Sequence, residues 1–258
     1  MNSVTIKVQR GNEEDGYRME SYSVDVEPGM VVLDAVHLAQ AKFAHDLAVR
    51  WNCKAGKCGS CAAEVNGKPR LMCMTKLSEF TQGDVIEIRP MKTFPTIKDL
   101  VPDVSWNFEV NKKIKKYKHP EFGSNLVDKE TGEGIMFQYQ VERSQEYRKC
   151  IECFLCQNVC HVLRTHDKKE QYGGPRFLSR LASLQFHPLD QETDRLKDAK
   201  DVLGVGLCNI TRCCTEVCPE SIKITDNAII PLKENVANKF YNPAATVIRF
   251  FKTLGSKN

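Results

Sequence analysis

Apolar and polar residues alternate over Thr5–Arg10 and again over Tyr22–Val26, the period of two that turns one face of a strand toward a core. Glu27-Pro28-Gly29 interrupts this pattern with a turn signal. Beyond it, Val32, Leu33, Val36, Leu38 and Ala39 fall at helical spacing and predict a helix over Val31–His45. Ala62–Val65, Asn66-Gly67 and Pro69–Met74 predict a hairpin, because Asn-Gly readily adopts the positive φ that a two-residue turn requires. Val85–Arg89 alternates once more before Pro90. Strand, strand, helix, hairpin and a late strand predict an α+β domain with one helix packed across a sheet.

The second half lacks that alternation. Pro175 followed by Phe177, Leu178, Leu181 and Leu184 has the start signal and apolar stripe of a helix. The charged stretch Gln191–Leu203 predicts a helix stopped by Gly204, and Pro243–Leu254 predicts another, with Val247, Ile248, Phe250 and Phe251 on one face. A boundary near Trp106 therefore separates a sheet-rich domain, 1–106, from a mostly helical one, 107–258. No repeat is visible beyond paired groups of cysteines.

Composition narrows the class. A chain of 258 residues with 41% hydrophobic and 27% charged residues is that of an ordinary globular protein. No apolar run approaches the ~18 residues of a membrane span, and Ala244–Phe251 is broken by Arg249. The first residues run into strand alternation without the apolar core of a signal peptide or an Arg-rich transit helix. The expectation is a cytosol-facing protein, peripheral to a membrane at most. Residues 1–105 carry 13 Lys and Arg against 14 Asp and Glu, and the remainder 24 against 19. The densest basic cluster, Lys112–Lys118, reads as a solvated connector, with a docking surface for an acidic partner or anionic lipid as the alternative. Nucleic acid is not expected as a partner, since no binding motif accompanies this weak charge.

Twelve cysteines change the picture. Without an export signal, such a number points to metal or redox chemistry rather than disulfides. They fall into three groups: Cys53, Cys58, Cys61 and Cys73; Cys150, Cys153, Cys156 and Cys160; and Cys208, Cys213, Cys214 and Cys218. The first has the C-x4-C-x2-C…C spacing of a plant-type [2Fe–2S] site. Gly56, Gly59 and Ser60 suit a loop that must wrap closely around a cluster. Structural zinc, the alternative, favours two short cysteine pairs.

Cys150-x2-Cys153-x2-Cys156-x3-Cys160 has the spacing of bacterial ferredoxins, in which the fourth cysteine serves a second cluster. Cys218-Pro219 supplies the closing Cys-Pro of the partner run. By this crossing rule Cys150, Cys153, Cys156 and Cys218 hold a [4Fe–4S] cluster, and Cys160, Cys208 and Cys214 hold the other. Thr211 stands where that second run would carry its middle thiolate. A hydroxyl is a poor iron ligand, so the expected cluster there is [3Fe–4S]. Cys213 either reaches a fourth iron by a local rearrangement or is a small buried hydrophobe; the second reading is preferred. Three one-electron carriers in one polypeptide suit electron transfer between a two-electron donor and a distant acceptor.

Taken in order, these motifs resemble the iron–sulfur subunit of succinate dehydrogenase and fumarate reductase, the complex II family. The resemblance rests on Arg50-x2-Cys53-x4-Cys58-Gly59-Ser60-Cys61, Phe94-Pro95-Thr96-Ile97-Lys98-Asp99-Leu100, the run Cys150–Cys160, Gly174-Pro175-Arg176, and Cys208…Cys214-x3-Cys218-Pro219. It implies a β-grasp [2Fe–2S] ferredoxin domain followed by an all-α, two-cluster ferredoxin-like domain. It also implies an order of carriers: [2Fe–2S] nearest the FAD of a flavoprotein subunit, [4Fe–4S] in the middle, and [3Fe–4S] nearest a quinone at membrane anchor subunits. Succinate oxidation or fumarate reduction would occur in the flavoprotein, and no catalytic residue is expected in this chain.

Thr165, Asn209 and His161 depart from the residues that many ubiquinone-linked members carry near the last cluster. The resemblance therefore favours menaquinone and a bacterial membrane, with the chain peripheral on its cytoplasmic side. His161 and His166 read as structural histidines before proton carriers or quinone donors, and Arg164 is equally ambiguous. Two alternatives stay open. One is an iron–sulfur subunit serving a related flavoprotein with another substrate, such as another hydroxy acid or fumarate reduced by thiols; no cysteine-rich module of the kind such relatives carry is expected after Cys218. The other is a zinc-binding interaction protein.

Overall fold

The computed structural model describes residues 2–81 and 83–243. Its sheet has five strands in the order β2-β1-β5-β3-β4. β1 (Asn2–Asn12) and β2 (Gly16–Val26) form a long antiparallel hairpin, in register from Asn2 opposite Val26 to Asn12 opposite Gly16. β3 (Ala62–Val65) and β4 (Lys68–Leu71) form the second hairpin, turning at Asn66 and Gly67 with φ of 49° and 72°. β5 (Val85–Arg89) pairs parallel to β1 and antiparallel to β3, joining the hairpins into one mixed sheet. Ile6, Val8, Ile86 and Ile88 are fully buried on one face, as the alternation predicts. Against it packs α1 (Val32–Lys42), which buries Val32, Leu33, Ala35, Val36 and Ala39.

Two short strands, β6 (Thr96–Lys98) and β7 (Val101–Pro102), pair beyond the sheet. Between them Asp99 accepts from the backbone N–H of Gly11 (2.7 Å) and of Ala48 (2.8 Å) and faces Arg10 Nε at 3.1 Å. Arg10, 3% exposed, also bonds Glu20, Tyr22 and Asp46. A buried guanidinium with this many partners avoids most of the cost of its desolvation.

After β7 the described elements are helical: α2 (Ser105–Lys112), α3 (Gln138–Gln145), α4 (Leu155–Val159), α5 (His161–Arg164), α6 (Pro175–Gln185), α7 (Arg195–Lys197), α8 (Cys213–Glu216) and α9 (Ile230–Phe240). One isolated bridge joins Val127 to Gly134. The helix predicted over Gln191–Leu203 begins only at Arg195 and continues through a π-helical stretch, Asp198–Val202, to Gly204. The helix predicted over Pro243–Leu254 lies, beyond Pro243, outside the described residues.

Contacts divide the chain into two compact units that interleave in sequence. The first takes residues 1–109 with 150–166 and 213–221, so the cysteine loops of the later chain cluster with the sheet. The second takes 110–149, 167–212 and the chain from 222 onward. Its core gathers Phe177, Leu178, Leu181, Ala228, Ile229 and Leu232. In that unit Arg195, 1% exposed, binds Asp190 and the carbonyls of Lys115 and Lys116. Lys115 lies 3.6–3.9 Å from Glu192, Asp194 and Asp198. The basic stretch is thus fastened at Lys115, while Lys113, Lys116 and Lys118 are exposed.

Candidate iron–sulfur sites

The loop from Cys53 to Cys61 connects α1 to β3 and turns back on itself through left-handed residues, Lys54 (φ 54°), Gly56 and Gly59 (both φ 68°). This curl points backbone N–H groups at sulfur. Ala55 and Lys57 donate to Cys53 Sγ, each at 3.4 Å, Cys53 donates to Cys58 Sγ at 3.5 Å, and Cys73 donates to Cys61 Sγ at 3.4 Å. Amide dipoles aimed at thiolates are what a negatively charged iron–sulfur core needs from its loop. Burial opposes ionisation of Cys58, but hydrogen bonds from the side chain and backbone of Ser60 and from Cys53 outweigh it and bring the thiol to about 6. Burial pushes Cys61 up to about 12. Cys53 is exposed and Cys61 buried, so the loop has a wet and a dry side.

Cys150 and Cys153 lie in a second loop that leads into α4, whose second residue is Cys156. Cys153 is flanked by two left-handed residues, Glu152 (φ 55°) and Phe154 (φ 60°). Phe154 is anchored edge-on against Phe94 and Phe108, with ring centroids 6.4 and 6.2 Å away. Burial drives the Cys153 thiol to about 12, with the charges of Cys150 and Cys218 adding to it. Cys156, deeper still, is pushed well above its ordinary value by burial and then by Cys153, Cys150, Cys214 and Cys218. Ionised together, these thiols would repel one another, and Cys153 and Cys156 would do so away from water. Several irons would remove that conflict, since each thiolate then neutralises a cation.

Among the described residues no group of three or more His, Cys, Asp or Glu is drawn together to hold a metal ion directly. The fit to clusters rests on the hydrogen bonds to sulfur and on the crowding of buried thiols. None of the twelve cysteines is in a disulfide.

Cys160 is buried between α4 and α5, and Cys214 is buried in α8, which packs on α4. Cys208 belongs to the second unit and is half-buried. Thr211 is exposed, with left-handed neighbours on both sides, Ile210 (φ 61°) and Arg212 (φ 64°). That is the backbone signature of Cys153 repeated around a threonine. Cys213 is half-buried rather than fully buried. His161 and His166 stand edge to face with ring centroids 6.2 Å apart, and Arg164 Nη1 lies 3.7 Å from Glu64 Oε1.

The spacing of the cysteines does not reveal how closely two loops approach. An alanine methyl built on Gly59 would stand 2.6 Å from Cys153 Cα and 2.8 Å from its nitrogen. The glycine in Cys58-Gly59-Ser60 hints at a close approach, but the partner, 94 residues on, is not legible in the sequence.

A mixed sheet and helices that present three groups of thiols define a class: iron–sulfur electron carriers. Residues 5–109 match the 2Fe-2S iron-sulfur cluster binding domain, and residues 146–222 match the 4Fe-4S dicluster domain. A chain in the solved structure of the Mycobacterium smegmatis Sdh1 complex in the apo form is 54% identical, with a TM-score of 0.87, over 93% of this chain and 98% of that one. The fumarate reductase iron-sulfur subunit of Escherichia coli O6:H1 is 29% identical over 86% of this chain and 88% of its own length. The chain belongs to the family of succinate dehydrogenase and fumarate reductase iron–sulfur subunits. One subunit of the fumarate reductase (CoM/CoB) of Methanothermobacter marburgensis is 30% identical over 90% of this chain. The chain spans under half the length, 44–45%, of this and two other archaeal iron–sulfur relatives.

Proposed function

We propose that this chain is the electron-transfer subunit of a membrane-associated succinate:quinone oxidoreductase, carrying electrons between the FAD of a flavoprotein subunit and a quinone at membrane anchor subunits. The observation that carries the reading is the contact of two cysteine loops at Gly59 and Cys153. Loops that each hold a structural zinc have no need to touch backbone to backbone; loops that hold successive carriers do. The two matched domain regions, residues 5–109 and 146–222, support a β-grasp domain over 1–106 and a helical two-cluster domain over 107–258.

In this reading Cys53, Cys58, Cys61 and Cys73 hold a [2Fe–2S] cluster, Cys150, Cys153, Cys156 and Cys218 a [4Fe–4S] cluster, and Cys160, Cys208 and Cys214 a [3Fe–4S] cluster. Bound clusters supply one-electron carriers, and the rest is done by the chain. The N–H groups of Ala55 and Lys57 share the charge on the Cys53 thiolate. Burial of Cys61, Cys153 and Cys156 keeps water from the inner sulfurs, which tunes potential. Chemistry on succinate or fumarate is assigned to the flavoprotein.

The quinone is proposed as menaquinone, on the departures at Thr165, Asn209 and His161, and the location as the cytoplasmic side of a bacterial membrane. No helix among the described residues is long and apolar enough to cross a membrane, so attachment is assigned to the anchor partners.

The test is purification of the intact complex without oxygen, identification of its subunits, and succinate- and fumarate-dependent assays. Oxidised material is expected to show a paramagnetic three-iron EPR signal. Its absence from fully loaded protein would overturn the reading of Thr211. Zinc without acid-labile sulfide would overturn the proposal as a whole. Cys213→Ser is expected to leave iron, sulfide and all three cluster signals at wild-type levels, and a lost or altered cluster would make Cys213 a ligand.

A further inference from the structure

Asn158 sits on α4 between Cys156 and Cys160 and is fully buried. Its Nδ2 donates to Glu64 Oε1 on β3 at 2.9 Å, and its Oδ1 accepts from the backbone N–H of Thr93 at 3.0 Å. Its own carbonyl accepts from Thr93 Oγ1 at 2.9 Å. The neighbouring Gln157, also fully buried, donates to Asn107 Oδ1 at 3.3 Å. A short hydrophobe would fill this space without any direction to its contacts. A buried amide bonded at both ends fixes an orientation as well, because a shifted position leaves a donor or acceptor without a partner in a dry interior. Both partners, Glu64 and Thr93, belong to the sheet-bearing part of the chain and lie 94 and 65 residues from Asn158.

We infer that Asn158 is a positioning residue: by bonding Glu64 and Thr93 it fixes α4, and with it Cys156 and Cys160, against the sheet, and so sets the spacing between the [2Fe–2S] cluster and the [4Fe–4S] cluster. This rests on the ligand assignment proposed above. α4 leaves the loop whose Cys153 touches Gly59, so a tilt of α4 about that contact moves the second cluster relative to the first. The Asn158 clamp stands on the other side of Cys156 and blocks the tilt.

The experiment uses the anaerobically purified, cluster-loaded protein. The [2Fe–2S] EPR signal is power-saturated in two samples, one poised before the neighbouring cluster is reduced and one fully reduced with dithionite. The difference in half-saturation power reports magnetic coupling, which falls steeply with distance. Asn158→Ala is expected to weaken this coupling while the [2Fe–2S] g-values stay those of the wild type. Thr93→Val and Glu64→Leu weaken it in the same direction, and Glu64→Gln, which keeps the acceptor for Asn158, restores it. If Asn158→Ala does not load iron, the Thr93 and Glu64 variants decide. Unchanged coupling in iron-loaded variants overturns the inference. Equal losses in Glu64→Gln and Glu64→Leu also overturn it, because the effect then follows the charge facing Arg164 and not the amide. A wild-type sample that lacks the [2Fe–2S] or [4Fe–4S] signal overturns the ligand assignment, and the inference with it.

Discussion

Gly59→Ala is expected to abolish the [2Fe–2S] signal and to disturb the adjacent cysteine loop, a large effect on the clusters for a change of one methyl group. Two penalties coincide there. The residue has φ +68°, where a side chain costs about 1–2 kcal/mol. The new methyl would also meet Cys153 Cα at 2.6 Å and its nitrogen at 2.8 Å, and backbone atoms cannot rotate aside. One loop must retreat, and both carry proposed ligands. Gly56 and Gly67 separate the two penalties. At Gly56 the methyl meets the Met74 sulfur at 2.8 Å, the end of a flexible side chain that can swing away. At Gly67, φ +72°, nothing lies within 4 Å, so Gly67→Ala pays only the conformational term of about 1 kcal/mol. Iron, acid-labile sulfide and EPR signals per chain measure the series. Wild-type occupancy is expected for Gly67→Ala, near wild type for Gly56→Ala, and loss for Gly59→Ala. Full occupancy with unaltered spectra in Gly59→Ala would mean that the two loops can separate at no cost to either cluster.

The elements legible in the sequence are those whose signal is local. The hairpin at Asn66-Gly67 and the strand Val85–Arg89 stand where alternation and turn chemistry put them. α9 is not among the predicted elements, although Pro231 at its start and Ile229, Leu232 and Val236 at i, i+3 and i+7 give it a local helical signal. Only Ile224, set five residues before Ile229 by the π-helical turn Ile224–Ile229, falls off that period. The helix at Arg195 starts later than its charge pattern suggests, for a tertiary reason. Asp190 is occupied by Arg195 and by the N–H groups of Lys118 and Glu192, which holds 190–194 in a turn. The thiol groups are legible from spacing because a cluster imposes short, fixed intervals on its ligands. Asn158 is not, because an amide between cysteines means nothing until Thr93 and Glu64 are found beside it.

The second large effect concerns nuclearity. Thr211→Cys is expected to replace the oxidised three-iron EPR signal by a reduced four-iron signal at lower potential. A ligand substitution of this kind succeeds only where the backbone already presents the side chain correctly. Around Cys153 the chain takes left-handed conformations at Glu152 and Phe154, and around Thr211 it takes them at Ile210 and Arg212, within a few degrees of the same φ. A β-branched residue such as Ile210 at φ 61° is strained by about 1–3 kcal/mol, and the strain persists because the loop is held elsewhere. Arg212 is tied to Asp226 at 2.7 Å, and Lys233 donates to the Cys208 carbonyl. A loop shaped this way, yet carrying a hydroxyl where a thiolate would stand, would account for the missing iron of the proposed [3Fe–4S] cluster by chemistry and not by shape. The added thiolate brings one more negative charge, which favours the oxidised cluster and lowers its potential. Thr211→Ser, which supplies no sulfur, is expected to keep the three-iron signal. Combining Thr211→Cys with Cys213→Ser excludes the neighbouring thiol as the source of any fourth iron. Persistence of the three-iron signal in Thr211→Cys at full occupancy would mean that the loop, and not the missing sulfur, limits the site to three irons.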